Sequence, residues 1–561
     1  MDFSKLNLDE NQVLARKIVL EAINKNVRNR NEFQKFRNKI VKESKGSIFH
    51  NLYFIKAYND LIDEGKIIEN PEFLSLIQKR SIRTMSGVAP VTVLTKAYPC
   101  PGRCIYCPTD VRMPKSYLPS QPAAQRGFRQ RFNPYTQVFV RLKAMRLTGH
   151  EISKVELRVI GGTFSSYPKR YQKWFIKRCI QAMNEFSQAI TSKIRTSKIK
   201  SIYGIDTVNT LIINSNEKKS KRFEDVIKEN EKSKVKCIGI NIETRPDYID
   251  KNEIKRLRSL GVTKVEMGVQ TVYPEVQAFT RRGHTTEQVM LATKLLKDSG
   301  FKIGYHMMPN LPGSTPELDK EMMRVIFKDE NYCPDYLKIY PCVVLPKTVL
   351  SQMFKKNEYK SYSDEILQDI LLDNLKIIPE YCRVDRVARD LPSDEIESGF
   401  KASNMRQILE KKLFDLGTPP RDIRSREIKD QIFDIKDLKL IKREYSSNKG
   451  REFFISFEDS KKDKLIALLR LRFPANTFIK ELKNAALIRE VHVYGKQIAV
   501  GKSGKDKKQH VGWGTKLMKE AEKIAKKEGF KKIAVIAGIG TREWYRKLGY
   551  RLEGTYMVRY L

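Results

Sequence analysis

Short apolar segments alternate with amphipathic stretches through the middle of this 561-residue chain. Each segment is rich in β-branched residues and ends at a glycine, a proline or a polar residue, which is typical of a buried strand. The segments are KVELRVIGG from 154, CIGINIE from 237, KVEMGVQ from 264, KIGYHMMP from 302 and YLKIYP from 336. Strands and helices in this alternation predict an α/β fold with a parallel sheet.

A second α/β pattern begins near residue 440. IREVHVYG (488–495) and KKIAVIAG (531–538) have the composition of strands. Between them, the segment after Gly512 has the apolar spacing of an amphipathic helix. Its apolar positions are Leu517, Met518, Ala521, Ile524 and Ala525. We therefore expect a separate C-terminal α/β domain.

Positive charge is concentrated in two parts of the chain. The 107 Lys and Arg outnumber the 66 Asp and Glu, for a net charge of +41. Residues 25–45 hold eight basic and two acidic residues, and residues 111–150 hold eight basic and no acidic ones. Such segments favour binding to a polyanion such as RNA. The aromatic residues among the charges are predicted to stack on bases. These aromatic residues are Phe33, Phe36, Phe128, Phe132 and Tyr135. The alternative is that both segments are solvated faces.

The start of the chain, MDFSKLNLDENQ, is polar and acidic where a signal peptide would be basic and then apolar. No segment approaches the roughly 20 apolar residues of a membrane span. We expect a cytoplasmic protein that has no membrane partner. In a reducing compartment, clustered cysteines more often bind metal than form disulfides.

Three of the eight cysteines, Cys100, Cys104 and Cys107, lie in AYPCPGRCIYCPTD (97–110), where proline and glycine predict a tight loop. Three thiolates can hold a [4Fe–4S] cluster and leave one iron open for another ligand. The alternative is a structural zinc site, which normally requires a fourth protein ligand. The C-x3-C-x2-C spacing resembles that of radical S-adenosylmethionine enzymes. This resemblance implies a partial (β/α)6 TIM-like barrel built from the apolar segments.

In such barrels the carboxyl ends of the strands carry the site. The candidate lining residues are Gly161, Gly162, Glu243, Arg245, Gln270 and His306. The Gly161-Gly162-Thr163 turn resembles the Gly-Gly-acid motif that meets the methionyl amine of S-adenosylmethionine. Farther along, QHVGWG (509–514) resembles the Q/R-x-x-G-x-G/A loop with which GNAT acetyltransferases bind the pyrophosphate of acetyl-CoA.

Both sites together resemble one family, the catalytic subunits of Elongator, over roughly residues 75–561. Further matching segments are ETRPDYI, GVQTVY, RRGHT, GYHMMPNLPGSTPE and EVHVYG. The resemblance implies a tRNA carboxymethyluridine synthase that uses acetyl-CoA and S-adenosylmethionine at wobble uridine 34 by a 5′-deoxyadenosyl radical mechanism. It also implies an electron donor for the cluster and the anticodon stem-loop as RNA partner. It leaves open whether the chain forms a homodimer or uses accessory subunits.

The resemblance also implies roles for individual residues. Tyr545 is expected to donate a hydrogen bond to the thioester or the departing thiolate, and Lys154 to contact acetyl-CoA from the barrel side. Glu490 is either a general base or the partner of a nearby Lys or Arg. The implied cofactor-binding residues are Gly161, Gly162, Thr163, Glu243, Gln270, Lys154, Glu490, Val491, His492, Val493, Gln509, Gly512, Trp513, Gly514, Thr515, Lys516 and Tyr545.

Some relatives hold a second, structural zinc, and Cys333, Cys342 and Cys382 are the candidates for it here. Pro420 stands where the family often has a cysteine, so a fourth ligand is missing. The expected domains are a basic helical tRNA-binding region (1–75), a radical S-adenosylmethionine domain (76–395), a linker (396–440) and a GNAT acetyltransferase domain (441–561). A stretch at 197–219 is expected to be a surface insertion. The rival function is a protein lysine acetyltransferase whose radical domain is only structural.

Overall fold

The computed structural model describes residues 8–43, 52–77, 87–191, 221–402, 404–429, 431, 433–494 and 512–561. The expected insertion at 197–219 and Gln509 lie outside these residues. In the described part of the chain, no helix is both long enough and apolar enough to cross a membrane.

Four helices form a small N-terminal bundle with its own hydrophobic core. They are α1 (Leu8–Asn24), α2 (Arg30–Glu43), α3 (Leu52–Asp63) and α4 (Pro71–Ile77). Phe33 lies inside this core, edge-on to both Phe54 and Phe73. The prediction that Phe33 stacks on RNA bases is therefore wrong, because its periodic position on α2 faces the bundle and not the solvent.

The central domain is an open, entirely parallel sheet of seven strands in chain order. The strands are β1 (Ala89–Leu94), β2 (Lys154–Ile160), β3 (Lys236–Thr244), β4 (Lys264–Gln270), β5 (Lys302–Met307), β6 (Tyr336–Ile339) and β7 (Arg383–Val387). Its helices are α5 (Pro122–Arg129), α6 (Pro134–Leu147), α7 (Lys169–Thr191), α8 (Phe223–Lys232), α9 (Lys251–Ser259), α10 (Pro274–Phe279), α11 (Thr286–Asp298), α12 (Pro316–Lys328), α13 (Val349–Lys355), α14 (Asp364–Ile377), α15 (Met405–Asp415) and α16 (Ile423–Arg426). The expected α/β class and partial barrel are confirmed, with seven strands where six were expected.

The C-terminal domain is a mixed sheet of seven strands in the order β13-β14-β12-β11-β10-β9-β8. Its strands are β8 (Leu438–Ser447), β9 (Gly450–Asp459), β10 (Lys464–Phe473), β11 (Ala486–Val493), β12 (Lys532–Val535), β13 (Arg551–Glu553) and β14 (Tyr556–Tyr560). Its helices are α17 (Trp513–Lys527) and α18 (Arg542–Lys547). Strands β11 and β12 are parallel and the other neighbours are antiparallel.

This second sheet packs against the amino ends of the barrel strands. A Cβ at Gly538 would lie 1.9 Å from the carbonyl oxygen of Ile238 on β3, so only glycine allows this approach. Beside it, the carboxylate of Asp335, just before β6, is fully buried and receives both terminal nitrogens of Arg489 on β11 at 2.6 and 2.7 Å. The two domains therefore share one charged core.

Candidate active site

One cavity of about 1250 Å³ runs through the barrel. At one end it is lined by the cysteine loop, and at the other by residues of the C-terminal domain that include Glu490 and Tyr545. Strands β2, β4 and β5 contribute polar side chains between these ends. The two sites that the sequence predicts separately therefore open into the same space.

The cysteine loop is held against two arginines of the barrel. Arg282 donates an N–H to the sulfur of Cys104 at 3.6 Å. Gly102 lies so close to Arg245 that a Cβ there would be 2.5 Å from a guanidinium nitrogen. Burial raises the pKa of the Cys107 thiol to about 12, and the charge of the nearby Cys104 acts in the same direction. A bound metal must therefore displace the proton of this thiol.

The three thiols of the loop supply donors for a cluster. Cys100, Cys104 and Cys107 all line the cavity. Three thiolates suit a [4Fe–4S] cluster with one open iron, whereas a structural zinc ion normally takes four protein ligands.

A polar cradle lies next to the loop. Gly161 has φ +135°, and a Cβ there would be 1.9 Å from the hydroxyl of Thr95. Thr163 places its hydroxyl 3.7 Å from the sulfur of Cys100. Gln270 has φ +73°, and its buried side-chain carbonyl has no hydrogen-bond partner among the described residues. An unsatisfied acceptor in a lined cavity fits a ligand that brings a donor, such as the amine of S-adenosylmethionine.

Charged side chains fill the middle of the cavity. The carboxylate of Glu243 accepts hydrogen bonds from the hydroxyl of Tyr117 at 2.9 Å and the ammonium of Lys338 at 3.1 Å. His306 lies 3.0 Å from Glu266, which also pairs with Lys338. Burial and the Lys338 charge lower the pKa of His306, so the imidazole is neutral near pH 7. Lys338 thus occupies the point where these carboxylates converge.

Two side chains donate hydrogen bonds to the carboxylate of Glu490, at the end of the cavity opposite the cysteine loop. Its carboxylate accepts from the hydroxyl of Tyr336 at 2.6 Å and from Arg470 at 2.9 Å. Although burial opposes ionisation, the charges of Lys302 and Arg470 hold the pKa of Glu490 far below its usual value. Of the two alternatives for Glu490, the geometry favours the ion-paired carboxylate over the general base.

Helix α17 begins after Gly512 and packs against β10 and β11, and its first residues, 512–516, do not themselves line the cavity. Gly512 has φ +96°, and a Cβ there would meet no atom of the described residues within 4 Å. A Cβ at Gly514 would lie 3.5 Å from the indole of Trp544 and 3.7 Å from Val493, while Lys516 lies 4.1 Å from the centroid of the Trp513 ring. Open space beside the first turn of a helix is where a pyrophosphate would bind backbone N–H groups.

Other predicted residues flank this site. Tyr545 is buried, and burial followed by the Glu490 charge raises the pKa of its phenol, which therefore keeps its proton as a donor. Val491 and His492 line the cavity from β11. Lys154 begins β2 on the same face as the cavity-lining Glu156, but it does not itself line the cavity.

Arginines line the cavity near both edge strands of the open sheet. The basic lining residues of this region are Arg126, Arg141, Arg383, Arg386, Arg389, Arg406, Arg424 and Lys429. Burial, and then repulsion from Arg406 and Arg383, lower the pKa of Arg424. Carboxylates pair with several of them, as Glu427 does with Arg383. The excess of positive charge suits a polyanionic substrate.

Comparisons with known proteins agree with this geometry. Residues 97–326 match the model of the radical SAM superfamily, and residues 334–415 match that of the radical SAM C-terminal domain. The tRNA uridine(34) acetyltransferase of Methanocaldococcus jannaschii is 41% identical, over 89% of this chain and 88% of that protein. The chain belongs to the Elongator complex protein 3 family. The predicted family resemblance is thereby confirmed.

Two further relatives of this family extend the comparison. The human Elongator complex protein 3 is 38% identical over 86% of each chain. The solved structure of the archaeal Methanocaldococcus infernus Elp3, with an N-terminal deletion of residues 1–46, has a TM-score of 0.70. It is 39% identical in sequence and covers 85% of this chain and all of that one. Membership of the radical SAM superfamily implies a [4Fe–4S] cluster and S-adenosylmethionine.

The cysteines expected to hold a second metal in this Elongator complex protein 3 family member do not come together. Cys342 packs in an apolar cluster with Val344 and Leu350. Cys333 instead donates to the carbonyl oxygen of Asp329, and Cys382 is buried in the main core. Among the described residues, no group of three metal ligands contains any of these cysteines. The structure therefore does not show the zinc site predicted from these three residues, because Cys342 and Cys382 lie in separate clusters of the core.

Several side chains of the site were not predicted from the sequence. Tyr117, Arg282, Lys302, Tyr336 and Lys338 line the cavity. Lys302 and Tyr336 begin their strands, whereas the predicted lining residues lie at the carboxyl ends of strands. The sequence signal for these two positions is a polar residue immediately before an apolar run. Both positions face the cavity because it extends to the amino ends of the strands.

His284 gives a pH-dependent prediction. Burial, followed by the charges of Arg282 and Arg245, lowers the pKa of His284 to about 2, whereas an unfolded histidine titrates near 6.5. The unfolded chain therefore binds the extra proton, and stability is lost as pH falls below about 6.5. Between pH 7 and 5 we expect a loss of about 2 kcal/mol, measured by urea unfolding. His284→Asn should flatten this slope, and an unchanged slope would contradict the prediction.

Proposed function

We propose that this chain makes 5-carboxymethyluridine at wobble uridine 34 of tRNA from acetyl-CoA and S-adenosylmethionine. The observation that carries the proposal is the single cavity lined by the cysteine loop at one end and by Glu490 and Tyr545 at the other. The names of the relatives, which refer to tRNA uridine(34), agree with this substrate. A cytoplasmic location and a separate electron donor belong to the same proposal.

In this proposal Cys100, Cys104 and Cys107 would hold the cluster, which, once reduced by the electron donor, would supply the electron that cleaves S-adenosylmethionine to methionine and a 5′-deoxyadenosyl radical. The glycines at 161 and 162 leave room for the methionyl end, and Gln270 accepts a hydrogen bond from it. Glu243 is held by Tyr117 and Lys338 and lines the cavity beside this site.

At the other end we assign Tyr545 as the donor to the acetyl thioester. Its protonated phenol lines the cavity, and no second tyrosine precedes it, because that position is Trp544. Glu490 positions Tyr336 and Arg470 instead of taking a proton. We assign the N-terminus of α17 and Lys516 to the pyrophosphate. Lys154, which begins β2 outside the cavity lining, is assigned a contact with acetyl-CoA.

We assign residues 1–75 to tRNA binding, 76–395 to radical chemistry, 396–440 to a linker and 441–561 to acetyl-CoA binding. The arginines near the edge strands bind the RNA backbone as the uridine enters the cavity. A base must leave its stack to expose C5, and an anticodon loop base does so at low cost.

The rival function, protein lysine acetylation, is not favoured. An acetyltransferase of that kind uses a general base to deprotonate the amine, but the charges of Lys302 and Arg470 lower the pKa of Glu490 and make it a weak base. The cavity also leads from the acetyl end to the cysteine loop. A test compares acetylation of a lysine peptide with carboxymethylation of tRNA. Peptide acetylation that persists without the cluster, with no modified uridine, would favour the rival.

Removing the phenol of Tyr545 should slow the reaction. Tyr545→Phe deletes one hydrogen bond to the developing thioester charge, which costs on the order of 100-fold in kcat. Carboxymethylation of tRNA is measured at saturating acetyl-CoA. Tyr550→Phe is the matched control, since Tyr550 bonds to Glu522 and does not line the cavity. Equal rates for the two variants would refute the assignment.

Neutralising α2 should weaken tRNA binding. Lys35, Lys39 and Lys42 are exposed on this helix. Replacing all three with glutamine should reduce the slope of log affinity against log salt by about 2 to 3. The matched control replaces three exposed lysines on α17, Lys519, Lys523 and Lys526, and should leave the slope unchanged. Identical slopes for the wild type and the α2 variant would make this surface a solvated face.

A further inference from the structure

Four aromatic rings form a row beside the cysteine loop. Tyr98, two residues before Cys100, stacks on Tyr167 with ring centroids 4.8 Å apart. Tyr167 stacks on Tyr171 at 5.2 Å, and Tyr171 lies 5.6 Å from Trp174. The row, defined as these four residues, runs from the segment that follows β1 onto the first turns of α7. It leads from the cysteine loop to an exposed indole.

Hydrogen bonds to the backbone before Tyr98 fix the row. The hydroxyl of Tyr167 donates to the carbonyl oxygen of Lys96 at 2.7 Å and lies 2.8 Å from the hydroxyl of Thr95. The hydroxyl of Tyr171 accepts from the N–H of Lys96 at 3.1 Å, and the Lys96 ammonium lies 5.2 Å from the Tyr171 ring. The rings are therefore preorganised and lose little freedom when a flat ligand stacks on them.

The outer end of the row is solvent-exposed and basic. Trp174 is 41% exposed, although a tryptophan with only a packing role is usually well covered. Lys169, Arg170 and Lys173 are exposed on the same turns of α7. Lys173 pairs with Glu224 at 3.6 Å, and both of these side chains are exposed. An exposed indole among cations matches the surface of proteins that bind single-stranded nucleic acid.

We propose that the aromatic row binds unpaired bases of the RNA next to the uridine that enters the cavity. Cations of α7 would contact the adjacent phosphates, while the exposed indole extends the stack of the loop bases. This inference rests on the proposed function, because it takes the substrate to be RNA. It goes beyond that function by assigning the surface that holds the bases neighbouring the modified one.

A redox role for the row is the competing explanation. Electrons that reach a low-potential cluster do not pass through oxidised tyrosine or tryptophan, since those radicals form only at strongly oxidising potentials. The row also carries exposed cations, which phosphates complement directly. Base stacking therefore accounts for both the rings and the charges.

The test titrates an anticodon stem-loop RNA into the full-length protein with its cluster reconstituted. Trp174→Ala should weaken binding about tenfold, whereas Trp174→Phe should retain most of the affinity. The matched control is Phe414→Ala, which removes a 74% exposed ring from α15 and should have no effect. The difference between wild-type and Trp174→Phe fluorescence gives the Trp174 emission, which stacked bases should quench. A fully paired RNA duplex should produce less quenching.

Equal affinities of wild type and Trp174→Ala, with no quenching of the Trp174 emission, would overturn the proposal. A slower reduction of the cluster in Trp174→Ala, with unchanged RNA affinity, would also overturn it and assign the row to an electron donor. If the RNA quenches Trp174 but the wild type leaves uridine 34 unmodified, the row is upheld and the proposed function fails. The visible absorbance of the cluster must be the same in all variants.

Discussion

Replacing Cys104 with serine is expected to abolish carboxymethylation, leaving less than about 0.1% of the wild-type rate. The alcohol of serine is a poor ligand for iron, and Cys100 and Cys107 alone cannot hold a cuboidal cluster. Arg282, which donates to the sulfur of Cys104, loses its soft acceptor in the same change. The reconstituted variant should lack the brown visible absorbance and bind little iron, while its circular dichroism stays unchanged.

Cys179→Ala is the matched control for this variant. Cys179 is as thoroughly buried as any cysteine of the chain but packs in the main core, away from the cavity lining. It should lose some stability and keep its cluster and activity. An undiminished iron content in Cys104→Ser would remove the cysteine loop from the cluster site.

Replacing Asp335 with alanine should destabilise the protein by about 3 to 5 kcal/mol, because it leaves buried guanidinium groups without a counter-charge. The Asp335 carboxylate pairs with Arg489 at 2.6 Å and with Arg470 at 3.4 Å, and it accepts the N–H of Ile303. These contacts join the barrel to the C-terminal sheet. The free energy of unfolding, measured in urea at pH 7.5, should fall by this amount.

An exposed ion pair provides the control for Asp335. Lys320 and Asp369 lie 2.5 Å apart on the barrel surface, with the Asp369 side chain 67% exposed. Asp369→Ala should change the free energy of unfolding by less than about 1 kcal/mol, because water already screens both charges. Similar losses for the two variants would show that the Asp335 network does not stabilise the join between the domains.

The apolar runs predicted five strands of the barrel sheet but not its edges. Strand β7 (Arg383–Val387) carries Arg383, Asp385 and Arg386 toward the cavity, so it has no apolar run. Strand β1 (Ala89–Leu94) pairs with β2 and begins the barrel before the cysteine loop. Charged residues in the barrel interior therefore hide β7 from an apolar pattern.

The sequence likewise predicted only part of the candidate site. Local motifs located the cysteine loop and the glycine turns at 161 and 512, since each motif lies within a few residues. The partners of Glu490 could not be found, because Tyr336 and Arg470 lie 154 and 20 residues from it in sequence. The sequence could not place Cys333, Cys342 and Cys382 relative to one another for the same reason, since residue type alone gives no spatial proximity.

The aromatic residues in the basic segments show that a charge pattern does not decide which rings are exposed. Tyr135 is buried and donates to Glu185, whereas Phe128 is 49% exposed. Of the five aromatic residues predicted to stack on bases, the structure thus places Phe33 and Tyr135 in cores. Trp174 and its row were missed because they lie outside the two most basic segments. The charge around them comes from a single turn of α7.

The central claim, that both ends of one cavity act on the same acetyl group, is tested most directly with acetyl-CoA that carries a deuterated methyl group. The wild-type protein is incubated anaerobically with tRNA, S-adenosylmethionine and a reductant, and the nucleosides are analysed by mass spectrometry. We expect 5-carboxymethyluridine that keeps two of the three deuterium atoms, with the third in 5′-deoxyadenosine. Unmodified uridine, or 5′-deoxyadenosine without deuterium beside a modified uridine, would contradict it.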